Sequence, residues 1–148
     1  MANMSLSDRG DPVPGYRAAV VHALRVGTGV MVYDGEVPER VPEDAAGYVE
    51  PYVVLFASDG DALQETDLSG RLDTDGLRWD FQTTSVGASA DVCSRVAGVV
   101  RRTLTNLPLG TYHVLPSPAG FTGAAPVKDT TVAPARFMLP RVWRLDTT

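Results

Sequence analysis

Two histidines, one cysteine and eighteen carboxylates are the side chains of this 148-residue sequence with the chemistry to hold a metal or act on a substrate. A zinc site needs three or four nitrogen or sulfur ligands, usually at short spacings. His22 and His113 are far apart, and His22 has no second histidine one helical turn on, so both read as uninvolved side chains. Cys93 cannot form an internal disulfide, because the chain has no second cysteine; it reads as a small buried hydrophobe on a helix flank. Asp59-Gly60-Asp61 has the alternation of a calcium loop, but position six counted from Asp59 is Gln64 where an EF-hand needs glycine. Paired carboxylates hydrolyse glycosides, but the acids here fall mostly in loops and their spacing picks out no pair. No phosphate-binding glycine loop, dinucleotide fingerprint or nucleophile elbow is present. Arg136, Arg141, Trp143 and Arg144 suggest a basic, aromatic nucleic-acid face. The phase of Trp143 instead matches a core side, with the arginines at its rim. No catalytic residue, cofactor or metal is expected, and the chain is not read as an enzyme.

Charge is distributed unevenly. Residues 34–75 hold twelve acidic and two basic residues, a net of −10, whereas residues 1–33 sum to +1 and residues 76–148 to +4. The overall charge of −5 speaks against a nucleic-acid binder. The acidic middle is either two solvated loops or a surface that repels polyanions and meets a basic partner. No apolar run is long enough to span a membrane, and no signal peptide is expected. Length and composition suit one domain: a loose tail over 1–10, then a single α+β domain over 11–148 with long acidic loops at 34–51 and 58–76.

The elements that position these residues follow from periodicity. Tyr16, Ala19, Val20, Ala23 and Leu24 form a helical stripe. Asp11 is expected to cap this helix, Pro12 to take its first position, and Gly27 and Gly29 to stop it. Val30 to Tyr33 reads as a short strand. The proline-rich segment after it reads as a loop skirting the sheet. Tyr52 to Ala57 is apolar throughout, as in a strand buried on both faces. Ser58 to Gly76 reads as a hairpin or long loop. Thr111 to Leu115 reads as a strand closed by Pro116, and a short strand is expected within Ala125 to Lys128. Phe137, Leu139, Trp143 and Leu145 share one face of a last strand, which Pro140 places at an edge or bulge.

The strongest signal is Leu77 to Thr105. Leu77, Trp79 and Phe81 alternate with Arg78, Asp80 and Gln82, a half-buried strand. Gly87 and Ala88 make a corner, Ser89 caps a helix, and Asp91 meets the positive end of its dipole. Val92, Val96, Val99, Val100 and Leu104 form the stripe that would cover Trp79 and Phe81, with Cys93 and Ala97 on its flank. Arg95 and Arg102 lie off that stripe. The fold class expected is α+β: a mostly antiparallel sheet of four to five strands with two main helices packed on one face.

Four pieces together resemble the tail terminator (tail-completion) proteins of long-tailed, non-contractile phages, especially those of actinobacteria. They are the N-terminal helix; Tyr52-Val53-Val54-Leu55 with the acidic loop behind it; Phe81-Gln82-Thr83-Thr84-Ser85-Val86-Gly87 leading into a helix; and the strand from Phe137 to Leu145. The resemblance covers about residues 12–145 and implies a structural role. Such proteins form a ring, usually of six, on the last ring of the major tail tube protein. The ring stops tube growth and offers a face to the head-side connector protein, and DNA passes through its lumen without being read. The protein would then be assembled in the host cytoplasm and reside at the head-proximal end of the tail. Within that picture the acids Asp59, Asp61, Glu65, Asp67, Asp73 and Asp75 are candidates for the lumen or the tube contact, since an acidic lining repels phosphates. Arg95 and Arg102 are candidates for the subunit interface. Two other readings stay open: a different head–tail connector or minor tail protein, and a small cytosolic α+β ligand-binding domain or enzyme.

Overall fold

The computed structural model describes residues 12–62, 68–70, 76–118 and 125–147. Among these residues two helices and nine strands follow one another in the order α1 (Val13–Thr28), β1 (Met31–Asp34), β2 (Tyr52–Ala57), β3 (Asp61–Ala62), β4 (Leu77–Gly87), α2 (Ala90–Leu104), β5 (Pro108–Leu109), β6 (Tyr112–His113), β7 (Leu115–Pro116), β8 (Val127–Asp129) and β9 (Arg136–Thr147). Seven strands build the main sheet in the order β1-β2-β4-β9-β7, with β3 against β4 and β8 against β9. The fold is α+β, but the sheet is mixed and wider than expected, because β1 runs parallel to β2. A parallel pair needs a crossover between its strands, and residues 35–51 supply it. The extra width comes from strands of two or three residues, too short to leave a periodic signal.

β4 and β9 are the axis of the molecule, paired antiparallel from Leu77↔Thr147 to Gly87↔Phe137. Alternation along them separates two faces. On one, Trp79, Phe81, Trp143 and Leu145 meet Val53 and Leu55 from β2, and both helices cover them: Val20 and Leu24 from α1, Val96, Val100 and Leu104 from α2. The Trp79 and Phe81 rings lie 4.6 Å apart, and Tyr16 of α1 stacks on Trp79 at 6.2 Å. Buried indoles need an acceptor; Trp79 Nε1 donates to Ser58 O at 3.0 Å and Trp143 Nε1 to Thr83 Oγ1 at 2.9 Å.

The opposite face carries a second, smaller core. Tyr52, Val54 and Val86 are covered there by Val41 and Val49. The segment 34–51, expected only to skirt the sheet, is therefore a lid with a core of its own. Its two valines stand among prolines and acids, with no helical or strand period to announce them.

α2 begins as expected: Ser89 Oγ accepts from Val92 N at 3.2 Å, with Asp91 in the first turn. Its buried line is Cys93, Val96, Val100 and Leu104, so Cys93 is central to the stripe and not on its flank. The approach is close at the corner, where a Cβ on Gly87 would lie 2.7 Å from Cys93 N. α1 differs in three ways. Asp11 lies outside the described residues and Pro12 occupies the N-cap without a side-chain cap bond. The buried stripe is Val13, Val20, Val21 and Leu24, while Ala19 is exposed. Gly27 does not stop the helix; it lets α2 approach, since a Cβ there would fall 2.7 Å from Thr103 Oγ1. Gly29, in the left-handed region at φ 67°, is the cap.

Residues 111–115 do not form one strand. Tyr112–His113 turns back on Pro108–Leu109, and Leu115–Pro116 joins β9, with the buried Val114 between them. The short strand near 125–128 is β8, over Val127–Asp129. Pro140 falls in the interval between β8, which pairs with residues 136–138, and β7, which pairs with 143–144. No strand needs an N–H from it there.

Candidate functional site and interaction surfaces

Among the described residues, the side chains singled out for chemistry are not brought together. His22 and His113 are exposed and lie on separate elements, α1 and β6. Cys93 is fully buried and donates to Ser85 O at 3.3 Å. Burial pushes its thiol up to about 11, which removes the thiolate a nucleophile or ligand requires. Among the described residues no three His, Cys, Asp or Glu side chains gather as a metal site would require. Asp59 and Asp61 are exposed. Glu65, Asp67, Asp73 and Asp75 lie outside the described residues. Asp59 borders a surface cleft of ≈ 500 Å³ with Pro14, Arg17 and Asp34, and Arg17 there is neutralised by Asp34 at 2.7 Å. The loop expected over 58–76 begins with a strand, since Asp61 and Ala62 pair with Arg78 and Leu77.

The arginines of the last strand divide between the two faces, as β alternation requires. Arg141 lies over the Trp143 ring, 5.8 Å from its centroid. Arg136 turns to the lid face and donates to Tyr52 Oη at 2.9 Å. Arg144 forms a forked pair with Asp80, at 2.9 and 3.4 Å. That bond holds its guanidinium above its usual range. Beside it Arg78 meets Asp146 at 3.2 Å, so the part of the sheet beyond the lid carries a ladder of opposed charges across β4 and β9. Trp143 is entirely buried. These residues are a core indole with rim charges and offer no stacking platform.

On α2, Arg95 is exposed and paired with Asp91 at 2.9 Å, a contact worth little at such exposure. Arg102 is exposed two turns on, along nearly the same face of the helix. Neither lines a concave feature that lies on this side. That feature is a groove of ≈ 230 Å³ between α2 and β9, floored by Thr83, Ser85 and Leu139, and walled by Gly98, Arg101 and Arg141. Arg101, Arg102 and Arg141 have no ion-pair partner among the described residues. No sequence motif marks this groove. Its trace is a face of small residues on α2, closed by an arginine: Ser94, Ala97, Gly98 and Arg101 stand at i, i+3, i+4 and i+7, beside the valine stripe.

The lid presents the opposite character. Residues 36–50 hold five carboxylates and one arginine. Their turn is internally built: Asp44 N donates to Tyr48 O at 2.8 Å and Glu50 N to Pro42 O at 2.9 Å. Asp44 Oδ1 accepts from Ala46 N and Tyr48 N at 2.9 and 3.0 Å. Val49 is buried beneath it while Tyr48 is 60% exposed.

No protein-family model matches this chain, and no curated protein does. Among solved structures, the fold is similar to a chain from the virion of a native gene transfer agent particle. The two are 21% identical, with a TM-score of 0.45, over 88% of this chain and 92% of that one. A second solved chain, which carries no functional name, is 16% identical with a TM-score of 0.49, over 99% and 97%. At these scores neither likeness bears on function.

Proposed function

We propose that this protein is a structural component of a phage virion that caps the tail tube as a ring. The ring ends tube polymerisation, joins tail to head and surrounds a conduit for DNA; it catalyses nothing. The observation that carries the reading is the Leu77–Thr105 unit. An eleven-residue strand enters a Ser89-capped helix through the close corner at Gly87, as in the sequence pattern that resembles tail terminators. The charge pattern agrees with it: Asp59 and Asp61 stand exposed at the start of the acidic loop, on a surface suited to a lumen or tube contact that must not retain phosphates. Arg95 and Arg102 on exposed α2 are then available to a neighbouring subunit.

The test is to add the purified protein to growing tail tubes and measure their lengths by electron microscopy. Tubes of one fixed length, each with density for this protein at one end, are expected. A length distribution unchanged by the protein, at any ratio to tube subunits, would overturn the proposal.

A further inference from the structure

The basic groove and the acidic lid are on opposite faces of one sheet, and among the described residues neither has an ion-pair partner. We propose that they are the two halves of one contact between copies of this chain: the Pro42–Glu50 turn of one subunit seats Tyr48 in the α2–β9 groove of the next. The proposal rests on the ring reading for its closure, but on the residues alone for the pairing.

Four observations carry it. First, the charges are complementary: Arg101 and Arg141 at the groove have no ion-pair partner among the described residues, and residues 36–50 are net −4. Second, the groove of ≈ 230 Å³ lies below the ~300–1,000 Å³ usual for small-molecule sites, which suits one inserted side chain. Tyrosine, apolar in body and polar at its tip, is enriched at such anchors. Third, the turn is fixed by its own hydrogen bonds and by buried Val49, so little ordering is lost on docking. Fourth, Gly98 has no reason to be glycine within the subunit. It weakens the middle of α2, and a Cβ on it would meet nothing within 4 Å. A second chain coming close at that point would use the missing side chain.

The geometry also excludes self-insertion. Val41 and Val49 anchor the lid on one face, and the groove opens on the other, past Thr83 and Leu139. The contact is therefore heterologous: knob and hole are different surfaces, and repetition of the step builds a ring or an open helix.

The experiment is sedimentation equilibrium over a wide concentration range, with disulfide trapping, in a Cys93→Ala background. The parent chain is expected to gain mass with concentration. Gly98→Leu fills the groove while favouring the helix, so it should fold at least as well as the parent. It is expected to weaken association at least tenfold, which is about 1.4 kcal/mol. Arg101→Glu should weaken association similarly and recover when mixed with Glu43→Arg chains. Mild oxidation of a mixture of Tyr48→Cys and Gly98→Cys chains should trap a dimer bonded between positions 48 and 98. A parent that stays monomeric and yields no such bond, or association that Gly98→Leu leaves unchanged, overturns the contact. The ring reading fails separately. If a Gly98→Leu chain still fixes tube length, the ring stands without this contact. If the dimer is trapped but tubes grow unchecked, the contact stands without the cap.

Discussion

Val53 and Val54 are neighbours on β2, both buried, yet they enter different cores. Val53 meets two helices and the aromatic run of β4 and β9. Val54 meets a proline-rich lid that contributes two valines. The first face is closed by elements with regular periods of their own. The second is closed by irregular chain whose backbone groups are satisfied locally, through the Asp44 turn, and not by a ladder. Regular cover yields a thick core; irregular cover yields a thin one that can carry charge and an exposed tyrosine directly above it.

The difference can be tested first at its strongest point. Trp79 is fully buried, stacks near Tyr16 and Phe81, and spends its N–H on Ser58 O. Trp79→Ala should cost about 3–5 kcal/mol, since no neighbour can collapse into so large a void. Urea denaturation would read this directly. A loss under about 1 kcal/mol would mean that the helix face is not the principal core.

The two valines give the sharper comparison. Each Val→Ala change removes two buried methyl groups, about 1.6 kcal/mol at about 0.8 kcal/mol per group. If the lid is as permanent as the helices, Val53→Ala and Val54→Ala cost about the same. The expected result is near equality in denaturation, with lower hydrogen-exchange protection in the lid amides than in α2, because local opening starts where buried apolar contacts are few. A negligible cost for Val54→Ala alone would make the lid an open loop, and the preformed turn proposed to dock would go with it.

Legibility in the sequence follows the same division. β2 and β4 stand where their patterns placed them, and α2 with its Ser89 cap does too, because period and capping chemistry are local. The burial of Trp143 was also readable, from phase, and that of Cys93 from residue type, although its phase had placed it on a flank. The lid was not: Val41 and Val49 sit in a segment whose prolines and acids signal solvent, and their burial depends on a sheet face that Val54 and Val86 share only once β2 and β4 pair. The parallel pairing of β1 was hidden for a similar reason, since four residues carry no mark of strand direction. Gly27 misled because a helix-packing glycine and a stop glycine look alike until the partner, here Thr103, is known. The groove arises between α2 and a strand some forty residues later. Composition placed the basic excess in the second half of the chain without saying that Arg101 and Arg141 line one groove and that Arg144 faces away.

The smallest effect lies where neither cover reaches. Beyond the lid the sheet closes itself to water with the Arg78–Asp146 and Asp80–Arg144 pairs. These are register partners on adjacent strands, so alternation places all four charges on one face. The Asp80–Arg144 pair is the better one: it is forked, and Arg144 is only 19% exposed. Arg78 and Asp146, at 38% and 40%, are both as open as Asp80 at 37%, and they share a single contact. Exposed pairs measured by double-mutant cycles contribute about 0.2–1 kcal/mol, and forked geometry raises the value within that range. A cycle with Asp80→Asn and Arg144→Gln should therefore give coupling near the top of that range, and the Arg78–Asp146 cycle coupling near its foot. Both should shrink when salt is raised, the exposed pair more. Equal couplings would mean that the forked geometry adds nothing. Coupling of several kcal/mol would mean that another surface covers this part of the sheet and dries the pairs, making it a third interface beside the lid and the groove.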